Sequence, residues 1–360
     1  MSTMPSTAAM SIAPSLAIGS GVGSARAAGS ATTRLAALDA ARIVAALGVI
    51  WFHSVESQAM QASSVLGRFS VAFYTIIAMV FLAQSLRKNP QQNWGEFASL
   101  KFVRLYVPFL GWSLIGWALL TFAHGISGGV PQPQVSIDTL ASGTSEPLWF
   151  IPFLFVALIV AFPLVRWMLA DVRRQIAVAA VCVVVAIVLD FGWWWGPEEE
   201  FPVVNLPIVG KFVALSWNRC SAVYWGLAFA VVWMQWLKNS AWRAGISVAG
   251  GLALVALLSW QWIHGVDVGL KVTAGLAFTL LALAPWSGRF AQRLAAVGPW
   301  CFGLYFAHMP WIWIARAVAN RQGLAISWQR DAIVFAAAVV MSILTVRTLA
   351  RTKSMRWLVA

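Results

Sequence analysis

The sequence predicts an all-α fold, a polytopic transmembrane helical bundle. Of its 360 residues, 60% are hydrophobic and only 10% are Asp, Glu, Lys or Arg, against about 25% charged residues in an average soluble domain. Trp and Phe, with 22 and 21 copies, far outnumber the 4 Tyr, which is typical of apolar helices with aromatic belts at the membrane interfaces. A soluble globule must expose much of its surface to water and cannot bury so many apolar side chains. The composition therefore excludes soluble enzymes, nucleic-acid-binding domains and disordered chains.

Ten apolar segments approach the length of about 20 helical residues that crosses the hydrocarbon core. They make up a membrane domain over 34–350, between a flexible cytoplasmic tail over 1–33 and a basic cytoplasmic tail over 351–360. The predicted spans are 38–57, 69–86, 103–124, 147–168, 175–195, 214–237, 242–263, 266–286, 297–318 and 329–350. Between the fifth and sixth spans, 196–213 holds three consecutive glutamates and three prolines, which is typical of an aqueous loop.

The basic residues predict the orientation of the spans. If the N-terminus is cytoplasmic, most of the 25 Lys and Arg residues fall on the cytoplasmic side and most of the 12 acidic residues on the other, as the positive-inside rule requires. Ten spans then return the C-terminus to the cytoplasm. The net charge of +13 is thus distributed over loops and forms no nucleic-acid-binding patch. The three cysteines are isolated and lack a CxxC spacing, so neither a disulfide framework nor a metal site is predicted.

The first span carries two ionisable side chains on one face. Arg42 and His53 are eleven residues apart, which at about 100° per residue is three turns plus about 20°, with an axial separation of about 16.5 Å. Asp39 is close enough to pair with Arg42, whereas Glu56 either orients the His53 imidazole or caps the following loop. Taken singly, Arg42 could snorkel to the interface and His53 could bond a backbone carbonyl. Their shared face favours a functional site, because ionisable groups within a membrane are costly.

The sequence of the first span resembles that of a known protein family. LAALDAARIVAALGVIWFHS, over 35–54, resembles the opening helix of acyltransferase family 3, the membrane-bound O-acyltransferases of bacterial glycans. Leu38, Asp39, Arg42 and His53 match the family's Leu-Asp-x-x-Arg segment and the His that follows it.

Three further segments support this resemblance, and they occur in the expected order. Lys101-Phe102-Val103-Arg104 followed by Pro108 is similar to the basic pair and proline that enter the family's third span, with Lys in place of the more usual Arg. LWFIPFLFVALIVAFPLV, over 148–165, and FGLYFAHMPWIW, over 302–313, resemble its fourth- and ninth-span signatures.

The resemblance implies a multi-pass enzyme of the bacterial inner membrane. It would take an acyl group, most commonly acetyl, from cytoplasmic acyl-CoA and pass it to a hydroxyl of a cell-surface or exopolysaccharide sugar. Arg42, Lys101 and Arg104 would hold the phosphates of CoA, since guanidinium groups bind phosphate bidentately. His53 would serve as general base or form an acyl-histidine; the sequence leaves both open.

Three other polar residues are candidate members of the site. His308, in the middle of the ninth span, would stabilise an oxyanion or shuttle protons, and Asn218 and Arg219 would contact the acceptor. No metal is expected. The expected partners are the lipid bilayer, a carbohydrate acceptor that is lipid-linked or free, and either a polysaccharide-synthesis machinery or a second copy of the chain.

Two other classes of protein remain as alternatives. A secondary transporter or a flippase of a polysaccharide-export system would also bury an Arg and a His, and a non-catalytic scaffold would need neither. No internal repeat is visible and few acidic residues lie within the spans, which favours the enzyme over the transporter.

Overall fold

The fold is helical throughout the residues that the computed structural model describes, which are 36–127, 137–191, 210–217, 219–235, 240–265, 268–284 and 289–359. This confirms the all-α membrane bundle. The α-helices are α1 Ala36–Ser54, α2 Val65–Arg68, α3 Ser70–Lys88, α4 Trp94–Lys101, α5 Val107–Ser127, α6 Ile137–Ser142, α7 Phe150–Met168, α8 Val172–Phe191, α9 Gly210–Trp217, α10 Ser221–Gln235, α11 Ser240–His264, α12 Val268–Leu281, α13 Arg289–Val297, α14 Cys301–Arg321 and α15 Trp328–Arg351. The predicted tail over 1–33 lies outside the described residues, as does most of the predicted loop over 196–213.

Seven segments of the described chain are helical, long and apolar enough to cross a membrane. They coincide with seven of the ten predicted spans and are Ala37–Ser54, Gln58–Lys88, Trp94–His124, Pro147–Met168, Val172–Phe191, Trp242–His264 and Trp328–Arg351. The other three predicted spans correspond to α10, α12 and α14. The helices α10 and α12 have 15 and 14 residues, and α14 has 21 but carries Arg316 and Arg321 near its end. The count of ten spans stays a prediction.

Small residues let the central helices approach closely. In α1, Ala40, Ala45 and Ala46 are almost fully buried. A Cβ placed on Gly67 of α2 would lie only 2.0 Å from the carbonyl oxygen of Gly48 in α1, so the two backbones are in contact at this crossing. Close approach through small residues is the usual way in which membrane helices associate. Here it fixes α2 against the half of α1 that carries His53.

The third predicted span begins irregularly. A π-helical turn, Phe102–Tyr106, joins α4 to α5. Pro108 lies at the second position of α5, and a proline there lacks an N–H and clashes with the carbonyl four residues earlier. The wider π turn accommodates this loss, and such turns often occur at functional sites. It also sets the register of Lys101, directly before it, relative to the rest of the span.

The C-terminal segment packs onto the bundle. Residues 351–360 were predicted to form a basic tail, but Leu358 and Val359 are only 6% and 5% exposed. The indole nitrogen of Trp112 in α5 donates a hydrogen bond to the carbonyl of Leu358 at 3.0 Å. The segment docks because apolar residues follow its basic ones.

Val359 also packs against Gly303 of α14, and Gly298, just before α14, contacts Asp39 of α1. The start of α1 and the C-terminal turn therefore both contact the segment around the start of α14.

Candidate active site

His53 lies in the last turn of α1, at the opposite end of that helix from Arg42. Its side chain is half-buried, and its ring centroid is 5.6 Å from that of His308 in α14. Its backbone carbonyl accepts a hydrogen bond of 2.7 Å from Nη2 of Arg316. The last carbonyls of a helix lack intrahelical partners and carry partial negative charge, so this guanidinium stabilises the turn that carries His53.

The loop after α1 is fixed by long-range ionic contacts. The Glu56 carboxylate lies between Nε of Arg316, at 3.1 Å, and Nη2 of Arg330, at 2.9 Å. The fully buried Asp331 accepts hydrogen bonds from the backbone N–H of Glu56 at 3.0 Å, from the N–H of Ser57 at 3.1 Å, and from the Ser57 hydroxyl. Of the two predicted roles of Glu56, the structure supports loop stabilisation, because its carboxylate pairs with two arginines rather than with the imidazole.

His308 has a defined hydrogen-bonding state. It is 0% exposed, and its Nδ1 lies 2.6 Å from the carbonyl oxygen of Tyr305. A carbonyl only accepts, so Nδ1 carries a proton, and in the neutral form of the ring Nε2 would present a lone pair. Nε2 has no hydrogen-bond partner among the described residues. A neutral His308 would therefore accept a proton at Nε2, as a proton shuttle does, whereas stabilisation of an oxyanion through Nε2 would need the doubly protonated ring.

One cavity, which we call the arginine cavity, lies at the Arg42 end of α1. Its volume is about 260 Å³. Two cations, Arg42 and Lys101, lie among its otherwise mostly apolar and aromatic walls. Arg42 pairs with Asp39 at 3.3 Å, as predicted, and its backbone carbonyl accepts a hydrogen bond of 2.6 Å from the hydroxyl of Tyr74. An apolar cavity with two cations in its lining suits a ligand that combines charged and long uncharged parts.

A second cavity, the histidine cavity, lies beside His53 and has a volume of about 240 Å³. Tyr305 lines both cavities. It is 6% exposed, and its hydroxyl donates a hydrogen bond to the carbonyl of Pro147, in the 3-10 turn Glu146–Trp149 that precedes α7. Arg42 and His53 therefore line two different cavities, which share Tyr305 as a lining residue.

The remaining predicted site residues are only partly brought together. Lys101 lines the arginine cavity, whereas Arg104, in the π turn, is exposed and is not among the residues that line it. Arg219 lines the histidine cavity, and Asn218 lies outside the described residues. Among the residues that the structure describes, no group of three or more His, Cys, Asp or Glu could hold a metal ion.

The sequence matches the model of one protein family. The family described as an acyltransferase domain, of the acyltransferase 3 type, matches residues 35–347. The chain belongs to this acyltransferase family. The match begins at the start of α1 and ends within α15, so both cavities of the acyltransferase lie inside it. No curated protein and no solved structure was found to match the chain. Membership of an acyltransferase family favours an enzyme over a transporter or a scaffold.

Sequence reasoning missed several residues of this acyltransferase. Arg316, Arg330 and Asp331 hold the loop beside His53, and Arg68 and Lys271 line the histidine cavity. The sequence carried a weak signal for them, since these residues are charged and lie at or within predicted spans. Only the packing of α2, α12, α14 and α15 around the end of α1 brings them to one place.

Proposed function

We propose that the protein is an integral-membrane O-acyltransferase of the bacterial inner membrane. It transfers an acyl group, with acetyl as the first expectation, from cytoplasmic acyl-CoA to a hydroxyl of a cell-surface or exopolysaccharide sugar. The observation that carries the proposal is that, in a member of an acyltransferase family, His53 lines one of two cavities that share Tyr305 and lies beside the fully buried His308, with the ring centroids 5.6 Å apart.

The lining of the arginine cavity supports acyl-CoA as the proposed donor. Coenzyme A combines phosphate groups with a long uncharged pantetheine arm, and this cavity combines two cations with apolar walls. Arg42 and Lys101 would bind phosphate oxygens through charge-assisted hydrogen bonds. The separation of about 16.5 Å along α1 between Arg42 and His53 is comparable with the length of the pantetheine arm. The thioester would thus approach His53 while the nucleotide stays at the Arg42 end.

The two histidines support transfer by general base catalysis. His53 removes the proton from the acceptor hydroxyl as the oxygen attacks the thioester carbonyl carbon. The tetrahedral adduct then collapses: the C–S bond breaks, the ester remains on the sugar, and the proton passes from His53 to the leaving thiolate. His308, with its lone pair on Nε2 and its ring 5.6 Å from that of His53, can share the proton directly or through one hydroxyl group. A covalent acyl-histidine is the alternative route.

Tyr305 would control where the two substrates meet. It lines both the cavity proposed for the donor and the cavity proposed for the acceptor, and its ring would form part of the wall between them. Holding its hydroxyl against Pro147 keeps the partition closed, which would protect the thioester from water that enters from the acceptor side. Transfer then requires the Tyr305 side chain to move or the acyl group to pass beside it.

The proposal is tested with the purified full chain in lipid nanodiscs, given radiolabelled acetyl-CoA and a membrane glycan extract. We expect label in an alkali-labile ester on the glycan and free CoA in equal amount. A carrier would move acetyl-CoA or glycan without releasing CoA, and that result would contradict the proposal. Mass spectrometry of surface glycan from a deletion strain, which should lose the acyl increments, identifies the acceptor.

A further inference from the structure

Arg316, in the C-terminal half of α14, contacts two other parts of the chain beside His53. Its Nη2 donates a hydrogen bond of 2.7 Å to the backbone carbonyl of His53, and its Nε lies 3.1 Å from the Glu56 carboxylate. The same carboxylate lies 2.9 Å from Nη2 of Arg330 in α15. One guanidinium therefore joins α14 both to the last turn of α1 and to the loop that follows α1.

The apolar packing of α14 on α1 does not by itself fix the orientation of that last turn. Ile50 of α1 belongs to one buried apolar cluster with Met309 and Ile312 of α14. Apolar contacts are non-directional, so they hold the two helices together but leave small shifts and rotations open. A hydrogen bond from a charged donor depends on distance and angle. The bond from Arg316 to the His53 carbonyl therefore adds the direction that the apolar cluster lacks.

His53 needs such support because it lies in the last turn of α1. The last carbonyls of a helix have no intrahelical donor, and terminal turns fray. Holding the His53 carbonyl fixes the backbone from which the imidazole projects. The ring is then kept beside that of His308, with the centroids 5.6 Å apart.

A proline weakens α14 between His308 and Arg316. Pro310 lies inside this helix and lacks the N–H that would bond the carbonyl four residues earlier. His308 lies on the N-terminal side of the proline and Arg316 on the C-terminal side. A bend at Pro310 would change how the two halves of α14 sit on α1, and the contacts of Arg316 oppose that bend.

We infer that Arg316 is a positioning residue for catalysis, which holds the His53 imidazole beside His308 through its bonds to the His53 carbonyl and to Glu56. The inference rests on the proposed function and adds a residue that lines neither cavity. Because Arg316 acts through His53, its removal should slow the transfer step. It should not weaken the binding of acetyl-CoA, whose proposed phosphate site lies at the other end of α1.

Steady-state acetyl transfer in nanodiscs tests this division between rate and binding. We expect Arg316→Gln to lower kcat about ten- to a hundredfold, as a displacement of about 1 Å in a reacting geometry does, with KM for acetyl-CoA within about twofold of the parent value. Arg316→Lys keeps a charged donor and should retain part of the kcat. Arg321→Gln is the matched control, because it removes an exposed positive charge from the end of the same helix, and it should have the kcat of the parent protein.

Glu56→Gln separates positioning from general stabilisation. It removes the negative charge that two arginines share, so it should lower the melting temperature at least as much as Arg316→Gln does. Arg316 can still donate to the His53 carbonyl in this variant, and most of the kcat should therefore remain. A kcat that falls in proportion to the melting temperature in both variants would show that Arg316 only stabilises the fold, and would overturn the inference.

Chemical modification of His53 gives a reading that does not depend on transfer. Diethyl pyrocarbonate acylates accessible imidazoles, and peptide mass spectrometry follows each histidine separately. Loosening of the last turn of α1 in Arg316→Gln should raise the modification rate of His53 several-fold and leave that of the exposed His264 in α11 unchanged. This result, together with a parent protein that transfers no acetyl group, would contradict the proposed function alone. Parent-like values of both kcat and the His53 modification rate in Arg316→Gln would overturn the inference.

Discussion

The contact between Gly67 and Gly48 predicts that one added methyl group near His53 disturbs both stability and activity. An ideal Cβ on Gly67 lies 2.0 Å from the Gly48 carbonyl oxygen and 2.8 Å from Cβ of Phe52. Ordinary contact begins near 3.4 Å, so Gly67→Ala requires α1 and α2 to separate by about 1.4 Å. The obstacle is backbone and cannot rotate away. Overpacking of this kind costs about 1–3 kcal/mol, and we expect the upper half of that range.

The displacement would reach the site directly, because Phe52 precedes His53 and Arg68 follows Gly67. A misplacement of about 1 Å in a reacting geometry can cost about a hundredfold in rate. The assay combines thermal unfolding of the purified variant with steady-state acetyl transfer. Gly245→Ala is the matched control, because nothing lies within 4 Å of a Cβ at that position in α11, and a helical Gly→Ala change is neutral or slightly stabilising. A Gly67→Ala protein with the melting temperature and activity of Gly245→Ala would refute the reasoning.

Three further changes test separate parts of the structure. Lys101→Ala should raise KM for acetyl-CoA by about ten- to a hundredfold, since it removes a charged contact. The same change at the exposed Lys88 of α3 should leave KM unchanged. Equal KM values for the two variants would exclude a phosphate site at Lys101. Asp331→Asn should lower the free energy of unfolding by about 1.5–3 kcal/mol, because three hydrogen bonds lose their carboxylate acceptor. Thermal unfolding measures this, with the same change at the exposed Asp171 as the control. Equal melting temperatures of the two variants would contradict the prediction. Tyr305→Ala should join the two cavities and raise acetyl-CoA hydrolysis in the absence of acceptor, whereas Tyr305→Phe should keep the wall and the low rate; equal hydrolysis by both variants would show that the ring is not a barrier.

The arrangement along α1 could be predicted from the sequence because a single helix is rigid. The eleven-residue spacing of Arg42 and His53 determines their relative direction and axial separation before any packing is known. The same local geometry explains the pair of Asp39 with Arg42, three residues apart, which the structure confirms.

The sequence could not show what other helices bring to α1. Glu56 lies three residues from His53, but its carboxylate pairs with Arg316 and Arg330, more than 250 residues away in the chain. Two guanidinium groups within hydrogen-bonding range stabilise a carboxylate more than one imidazole does. In the same way, the position of Tyr305 in the lining of both cavities depends on how α14 packs against α1 and against Pro147, and no periodicity within α14 encodes it.

Acetyl transfer by the purified His53→Ala protein tests the central claim most directly. The parent protein, His53→Ala and His264→Ala are compared in nanodiscs, with acetyl-CoA binding measured on each sample. His264 is the matched control, because it lies exposed at the end of α11 against Trp260 and lines neither cavity. We predict that His53→Ala binds acetyl-CoA as the parent does but transfers no measurable acetyl group, while His264→Ala remains fully active. Transfer by His53→Ala at the rate of the parent protein would contradict the assignment of His53 as the base.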